Sequence, residues 1–213
     1  MRVVVVAPHP DDEVLGCGGA LLQHVAEGHA VHVVFLTSGE RSLPQLGRED
    51  AIRVREPEAE AAAAVLGVTS VTFLRQPDCE VAAHSDDIVP RLSGLLEQHT
   101  PDHVYVPHAG EEHPDHPAAR ETTGRALRAV GMSVGCAREY EVWTPLTAFV
   151  YVADISAVME TKLAAVDCYR SQTWFDYRRA ATGLASFRGA FATRTAYAEV
   201  FGGWFETSHE EQR

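Results

Sequence analysis

Short runs of consecutive apolar residues alternate along the chain with longer segments in which apolar residues recur every three or four positions. The short runs are rich in β-branched residues, which is typical of strands buried on both faces of a parallel sheet. The longer segments are typical of amphipathic helices. The strands are predicted at residues 3–6, 31–36, 71–74 and 103–106.

Helices are predicted between these strands and near the end of the chain, over residues 14–25, 49–66, 85–96, 155–169 and 180–201. Pro57 lies inside the second of them and is expected to kink or restart it. Two further strand-like runs, near residues 139–143 and 148–152, follow each other without a helix, which predicts antiparallel pairing there. The pattern indicates a single α/β domain over residues 1–213, with a Rossmann-like, mostly parallel open sheet covered by helices on both faces. A few antiparallel strands are expected toward its C-terminal half.

The amino-acid composition disfavours several classes of binding partner. The 30 acidic against 18 basic side chains give a net charge of −12, which disfavours binding to nucleic acid or to an anionic membrane. No run approaches the roughly 18 apolar residues of a membrane span, and the start lacks a signal-peptide pattern, so we expect a cytoplasmic protein. The four cysteines form no Cys-x-x-Cys pair, which argues against a thiolate zinc site or a disulfide framework.

Charged residues are concentrated where the first predicted strand ends, in the sequence Pro-His-Pro-Asp-Asp-Glu at residues 8–13. Ligands of open α/β sheets bind beyond the carboxyl ends of the strands, so this loop lies where a site is expected. Adjacent carboxylates repel one another unless a cation or a helix N-terminus compensates them. An acidic helix cap beside a surface histidine is the alternative interpretation.

A second cluster, Glu-Glu-His-Pro-Asp-His at residues 111–116, follows the fourth predicted strand and His108. Imidazole and carboxylate ligands without thiolate suit a catalytic zinc ion, which keeps one position for water. A spare carboxylate can take the proton of that water, and a spare histidine can donate to an oxyanion. Spacing alone leaves open which of Asp11 and Asp12, and which of His113 and His116, has each role.

Both clusters resemble the motifs of a known family. The loop at residues 8–13, with Leu-Gly-Cys-Gly-Gly at 15–19, is similar to the opening motif of the PIG-L/LmbE-like zinc-dependent de-N-acetylases, and His-Pro-Asp-His at 113–116 matches their second motif. Weaker similarities at residues 55–58, 169–172 and 197–201 extend the resemblance over most of the chain.

The resemblance implies a role for each residue of the two motifs. It implies that zinc is bound by His9, Asp12 and His116, with iron(II) as the alternative ion, and that Asp11 is the base that activates water. His113 is implied to stabilise the oxyanion and then protonate the leaving amine.

Further residues are implicated around these motifs. By the resemblance, Asp115 orients His113, while Arg55 and Asp78 occupy positions that contact sugar hydroxyls in some members. His108 is a further candidate substrate contact because it lies close to the second motif. Two departures stand out: Pro57 follows Arg55 closely, and Glu111 occupies a position where some members have a tyrosine that assists the oxyanion. Glu111 is expected to repel an oxyanion.

The resemblance implies a metal-dependent hydrolase that removes an N-acetyl or small N-acyl group from a glucosamine-containing small molecule, in thiol-cofactor or natural-product biosynthesis. A metal-dependent esterase or phosphoesterase and a non-enzymatic metal-binding relative are the alternatives. The expected partner is an amino-sugar conjugate, and the sequence leaves a homo-oligomer open. Trp174 and Phe175 are interpreted either as the mouth of a pocket, as core, or as a subunit contact.

Overall fold

The computed structural model describes residues 1–204, in which seven strands form one sheet with the order β3-β2-β1-β4-β5-β7-β6. The strands are β1 (Arg2–Ala7), β2 (Ala30–Thr37), β3 (Ser70–Gln76), β4 (His103–Pro107), β5 (Ala137–Tyr140), β6 (Tyr151–Asp154) and β7 (Ala198–Gly203). The α-helices are α1 (Asp12–Ala26), α2 (Arg48–Leu66), α3 (Ser85–His99), α4 (Asp115–Ala129), α5 (Met159–Val166) and α6 (Tyr177–Arg188).

The first five strands in chain order are parallel, and the last two are antiparallel additions. β1 pairs with β2 on one side and with β4 on the other, with Val3 opposite both Val31 and His103. β7 pairs antiparallel with β5 and with β6. The predicted α/β class, with a mostly parallel sheet and antiparallel strands toward the C-terminal half, is therefore confirmed. No helix within residues 1–204 combines the length and the apolar character needed to cross a bilayer.

Three local predictions were wrong or incomplete. The helix predicted over 180–201 ends at Arg188, and its last part is strand β7, which lies between two strands in the sheet. β5 and β6 come from the two runs expected to pair antiparallel, but β7 lies between them and pairs antiparallel with each, and β5 also pairs parallel with β4. Helix α4 was not predicted, because the residues it buries are mostly small or polar, such as Ala119, Thr122 and Gly124, and give little hydrophobic periodicity.

Pro57 does not end helix α2, which continues through it from Arg48 to Leu66. Proline removes one amide donor and thereby frees the carbonyl of the residue four positions earlier. That residue is Arg53, and both Arg53 and Pro57 are exposed, so water can bond to the freed carbonyl. The predicted kink or restart of the helix is thus not required.

The sheet carries one hydrophobic core on each face because successive side chains of a strand point in opposite directions. Val3 and Val5 pack with residues of α1, α2, α5 and α6. Val4 and Val6 pack with residues of α3 and α4. All four valines are fully buried, which accounts for the continuous apolar run in β1.

A buried ion pair between α5 and β7 also binds the backbone of helix α1. Lys162, the only lysine of the chain, donates from Nζ to Glu199 Oε1 at 2.7 Å and to the Leu15 carbonyl at 2.8 Å. The Glu199 carboxylate also accepts the backbone amides of Gly19 and Ala20, each at 2.8 Å. Removing one partner of such a pair leaves an uncompensated buried charge, so the pair holds α1 against the C-terminal part of the sheet.

We expect Gly19→Ala to lower the free energy of unfolding by about 1–3 kcal/mol, the usual cost of overpacking a core. A Cβ atom at Gly19 would lie 2.5 Å from Ile155 Cγ2 and 3.0 Å from Glu199 Oε1. Gly183→Ala in α6 is the matched control, since its Cβ would meet nothing within 4 Å. Urea unfolding of both variants checks the prediction, and an unchanged midpoint for Gly19→Ala would contradict the tight packing.

Candidate active site

The two charged loops meet at the carboxyl ends of β1 and β4, which are neighbours in the sheet. On one side of this pair β1 is followed in the sheet by β2 and β3, and on the other side β4 is followed by β5. The strand order therefore reverses between β1 and β4, and the two loops lie at this topological switch point. A cavity of about 230 Å³ opens there. Its lining residues are His9, Asp11, Asp12, Gly39, Arg41, Ser42, Arg55, Asp78, Cys79, His113, Trp143, Gln172 and Tyr177.

Asp11 adopts an unusual backbone conformation at the start of α1. Its φ of 116° is rare for a residue other than glycine, and such strain persists only where the surroundings hold it. The carboxylate of Glu13 accepts the Asp11 amide at 3.0 Å, and the Tyr169 hydroxyl donates to the other oxygen of Glu13. Glu13 therefore holds the loop in this conformation, and Tyr169 holds Glu13. Tyr169 belongs to the weaker family similarity at residues 169–172.

The three predicted metal ligands come together. Asp12 Oδ2 lies 3.2 Å from His9 Nδ1 and 3.4 Å from His116 Nε2. These two distances are similar to the separation of roughly 3.3–3.5 Å between ligand atoms placed about 2.0–2.2 Å from a tetrahedral zinc ion. The ring centroids of His9 and His116 are 5.6 Å apart. His116 is completely buried, and neither of its ring nitrogens has a hydrogen-bond partner within residues 1–204. A buried imidazole without partners is costly, so this donor set fits a metal ion.

His9 is oriented from its other ring nitrogen. His9 Nε2 lies 3.1 Å from Asp115 Oδ2 and 3.2 Å from Asp78 Oδ1, which leaves Nδ1 facing Asp12. A carboxylate on the second nitrogen of a ligating histidine is the usual arrangement around metals. Burial lowers the pKa of His9, but the hydrogen bonds to Asp115, Asp12 and Asp78 outweigh burial and raise that pKa above its ordinary value.

The carboxylate of Asp115 does not contact His113, contrary to the role predicted for it. Besides His9, it accepts the backbone amides of Cys79 at 2.8 Å and Val81 at 3.0 Å. The backbone amide of Asp115 lies 3.3 Å from His113 Nδ1 and is what orients that ring. The carboxylate of Asp115 is directed away from His113 because it accepts these two backbone amides of the loop after β3.

Arg55 points into the cavity despite its proximity to Pro57. Its side chain is 1% exposed, lies 3.2 Å from Asp11 Oδ2 and donates to the Pro10 carbonyl. Burial raises the pKa of Asp11 to about 6, although Arg55 acts in the opposite direction. A carboxyl group with a pKa near neutral is well placed to serve as a general base. Asp78 also lines the cavity, and its contact with a sugar hydroxyl stays a prediction.

His113 lines the cavity next to the three predicted ligands. Its ring centroid lies 4.6 Å from that of His9 and 5.3 Å from that of His116. One ring nitrogen of each of these three histidines falls within 4.8 Å of the others. Burial, with His9 and His116 nearby, lowers the pKa of His113. His113 is thus placed either to bind an ion or to exchange a proton beside it, and its role stays a prediction.

His108 and Glu111 both make structural contacts, although His108 was expected to contact substrate and Glu111 to repel an oxyanion. His108 Nε2 lies 2.6 Å from the Thr144 carbonyl, and its side chain is outside the cavity lining. Glu111 accepts the backbone amides of residues 142, 143 and 144 at 2.6–3.2 Å. The Glu111 carboxylate is therefore compensated by three amides and does not face the cavity as a repelling charge.

The structure adds residues that the motifs did not indicate. Tyr177 lines the cavity, and burial together with the Asp11 carboxylate raises its pKa. Cys79 lies 3.9 Å from His113 Nε2 with a φ of 65°. Burial and the Asp78 carboxylate raise the pKa of the Cys79 thiol, which makes it a poor nucleophile. Trp143 also lines the cavity. It lies in the segment between β5 and β6, although residues 139–143 were predicted to form a strand.

Comparison with known proteins agrees with this geometry. Residues 4–127 match the family model described as PIG-L, GlcNAc-PI de-N-acetylase. The chain is 30% identical over 192 residues to a 1D-myo-inositol 2-acetamido-2-deoxy-alpha-D-glucopyranoside deacetylase of Mycobacteroides abscessus, covering 78% of this chain and 64% of that relative. The present chain thus spans less than two thirds of the length of that enzyme.

Other relatives widen the range of reactions. A 4-oxalmesaconate hydratase of Pseudomonas putida is 32% identical over 206 residues, covering 84% of this chain and 77% of the relative. The solved N,N'-diacetylchitobiose deacetylase of Pyrococcus horikoshii superposes with a TM-score of 0.80 at 26% identity, covering 94% of this chain and 82% of that one. Homologues thus include deacetylases of substrates that contain N-acetylglucosamine. With the family model matching more than half of its length, the chain belongs to the PIG-L (GlcNAc-PI de-N-acetylase) family.

Proposed function

We propose that this protein is a metal-dependent deacetylase that hydrolyses the N-acetyl group, or a similarly small N-acyl group, of a glucosamine-containing small molecule. One observation carries the proposal: His9, Asp12 and His116 are buried next to one another, and the Asp11 carboxylate and the His113 imidazole line the same cavity. Amide hydrolysis needs such a base and such an acid beside activated water.

Zinc is the ion we propose, with iron(II) as the alternative, and both stay predictions from the sequence. When bound, the ion supplies a water of lowered pKa and a Lewis acid for the amide carbonyl. Asp11 accepts the proton of the attacking water, because its carboxylate lines the cavity beside Asp12. His113 lies across the same cavity, where its ring can donate to the developing charge on the amide oxygen and then protonate the leaving amine.

The side chains around these groups hold them in position. Arg55 fixes the Asp11 carboxylate, and Asp115 with Asp78 fixes His9. Water attacks the carbonyl directly in this scheme, with no covalent enzyme adduct. The products are a carboxylate, such as acetate, and a free amine on the sugar. A cytoplasmic location and a role in thiol-cofactor or natural-product biosynthesis belong to the proposal and rest on the sequence.

A hydratase is the second candidate, because the Pseudomonas relative is as similar to this chain as the deacetylases are. Its named substrate carries several carboxylates, which call for cations in the binding site. Of the two arginines that line the cavity, Arg41 pairs with Glu80 and Arg55 with Asp11, although Nε and Nη1 of Arg55 have no hydrogen-bond partner within residues 1–204. Asp11, Asp12 and Asp78 add negative charge. The site therefore favours a neutral acylated amino sugar over a polycarboxylate.

Acetate release from a panel of N-acetylglucosamine conjugates tests the proposal. The metal-loaded protein is incubated with an N-acetylglucosaminyl inositol, N,N'-diacetylchitobiose and an aryl N-acetylglucosaminide, and acetate and free amine are measured. We expect equal amounts of both products from at least one conjugate. Hydration of an oxalmesaconate with no acetate release would favour the hydratase, and inactivity on every amide would overturn the proposed function.

A further inference from the structure

Two histidines meet at the C-terminal end of α1, at the edge of the sheet where β2 and β4 begin. Gly28 ends the helix with a φ of 75°, in the left-handed region that favours glycine. Its amide donates to the Val25 carbonyl at 2.9 Å, and the His29 amide donates to the His24 carbonyl at 3.0 Å. These are the two hydrogen bonds of a Schellman motif, in which the two outer residues often bring apolar side chains into contact. Here both outer side chains are imidazoles.

The turn directs three potential metal ligands toward one another. His24 Nδ1 lies 3.0 Å from His29 Nδ1, and His29 Nδ1 lies 3.5 Å from Glu27 Oε2. One ligand atom from each of the three residues lies within 4.8 Å of the others. Ligand atoms around a tetrahedral zinc ion are separated by roughly 3.3–3.5 Å, so the spacing is close to that of a coordinated set. Two imidazoles and one carboxylate also form a ligand set that zinc favours.

A buried hydroxyl group fixes the orientation of His24. Nε2 of His24 lies 3.0 Å from the hydroxyl oxygen of Tyr105, whose side chain is 1% exposed. A ring that is hydrogen-bonded through Nε2 presents Nδ1 to the turn. Ligating histidines usually have such a polar partner on the second ring nitrogen, which sets their orientation before the ion binds.

His24 is also uncharged at neutral pH, as a metal ligand must be. Burial lowers the pKa of His24 to about 4, and the nearby His29 and His103 act in the same direction. Arg138, in the wall of an adjoining cavity of about 140 Å³, lowers this pKa as well, whereas Glu27 raises it. A ring that resists protonation but faces a carboxylate and a second imidazole is suited to a metal ion, because metals bind the neutral form.

We propose that His24, Glu27 and His29 bind a divalent transition-metal ion, zinc above all, at a site separate from the candidate active site. None of the three residues lines the active-site cavity, so the proposal goes beyond the proposed function. His24 follows Asp12 by twelve positions on α1, which corresponds to about 18 Å along the helix. The bound ion links the end of α1 to the turn that leads into β2, and its role is therefore structural.

The affinity of this site is expected to be moderate. Glu27 exposes 64% of its side chain, and ordering this side chain opposes binding. We expect a Kd for zinc of roughly 1–100 µM, since the two imidazoles are already close together but the carboxylate is not fixed. An ion held this weakly dissociates during purification in metal-free buffer, so the site is detected only when metal is added.

Calorimetric titration with ZnCl2 tests the site in protein that keeps its tightly bound ion. We expect one further equivalent of zinc per chain, and no binding of MgCl2, because magnesium prefers oxygen ligands. His29→Gln should weaken this binding by at least about tenfold and leave acetate release unchanged, since the residue is remote from the catalytic groups. His24→Gln should have the same effect, with circular dichroism confirming that the chain still folds without the hydrogen bond to Tyr105.

His84→Gln is the matched control. Like His29, His84 lies beside carboxylates, with Glu80 at 3.6 Å and Asp87 at 3.8 Å. If carboxylates beside one surface histidine were enough, this variant would lose the zinc, but we expect it to retain the further equivalent. No further equivalent in the wild type, or undiminished zinc binding in His29→Gln, would overturn the proposal.

Thermal melts give a second readout that needs no turnover. An ion that binds only the folded chain stabilises it, so zinc at about 100 times its Kd should raise the Tm of the wild type by roughly 5–10 °C. The rise should be absent in His29→Gln and present in His84→Gln. This result would support the second site even if no amide were hydrolysed. An equal rise in the wild type and His29→Gln would place the zinc elsewhere and overturn the proposal, without affecting the proposed function.

Discussion

Replacing His116 with alanine is expected to remove the metal ion from the protein. The wild type, purified without added metal, should carry about one zinc or iron ion per chain, and the variant should carry almost none, because two ligands do not hold such an ion tightly. Activity should fall by roughly 10³-fold or more, since the ion contributes several kcal/mol to the transition state. Elemental analysis beside the acetate assay measures both quantities.

His84→Ala is the control for this experiment. His84 lies at the start of α3, near Glu80 and Asp87 on the surface, and its loss should leave metal content and activity unchanged. The buried cavity left by His116→Ala could unfold the chain, so circular dichroism and a thermal melt accompany the measurement. A folded His116→Ala variant that retains a full equivalent of metal would show that the two loops do not share the ion.

The second large effect is expected from Asp11→Asn. The asparagine is nearly isosteric but cannot take a proton from water, so kcat should fall by about 10²–10⁴-fold while metal content stays near one ion per chain. The Asp12 carboxylate lies between His9 and His116, where we propose that the metal ion binds, whereas Asp11 is the proposed base. The two aspartate variants should therefore lose different properties. Asp12→Asn should weaken metal binding, whereas Asp11→Asn should not.

Two controls sharpen the interpretation of Asp11→Asn. Asp86→Asn alters an exposed aspartate of α3 that pairs with Arg125, and it should have no effect on kcat. Cys79→Ser tests the alternative of a thiol nucleophile, and activity within a few-fold of the wild type is expected from it. Near-wild-type kcat in Asp11→Asn would mean that another group takes the proton, and the assignment of the base would have to be abandoned.

Much of the fold could be predicted from the sequence because the central strands are buried on both faces. Continuous apolar runs such as that of β1 have few other interpretations in an α/β pattern. The prediction failed where this signal disappears. α4 buries small and polar side chains, which give little periodicity. Residues 198–203 form a short buried run, and periodicity alone does not distinguish such a run from a segment of a buried helix.

The candidate site was predictable for a related reason. Parallel strands bring their carboxyl ends to one edge, so the motifs after β1 and β4 had to approach each other. Which carboxylate contacts which histidine depends on distances of a few tenths of an ångström. Asp115 was predicted to hold His113, but it contacts His9 because the loop after β3 supplies two amides to its carboxylate. Side-chain competition of this kind leaves no periodic signal in a sequence.

The position of Lys162 determines how the protein reacts with amine-directed reagents. Lys162 is the only lysine side chain of the chain, and it is 2% exposed in a pair with Glu199. Acylation of this amine by a succinimidyl ester therefore requires that α5 first separate from both α1 and β7. The rate at which Lys162 is acylated would report how often this part of the molecule opens, without any probe having to be engineered into it.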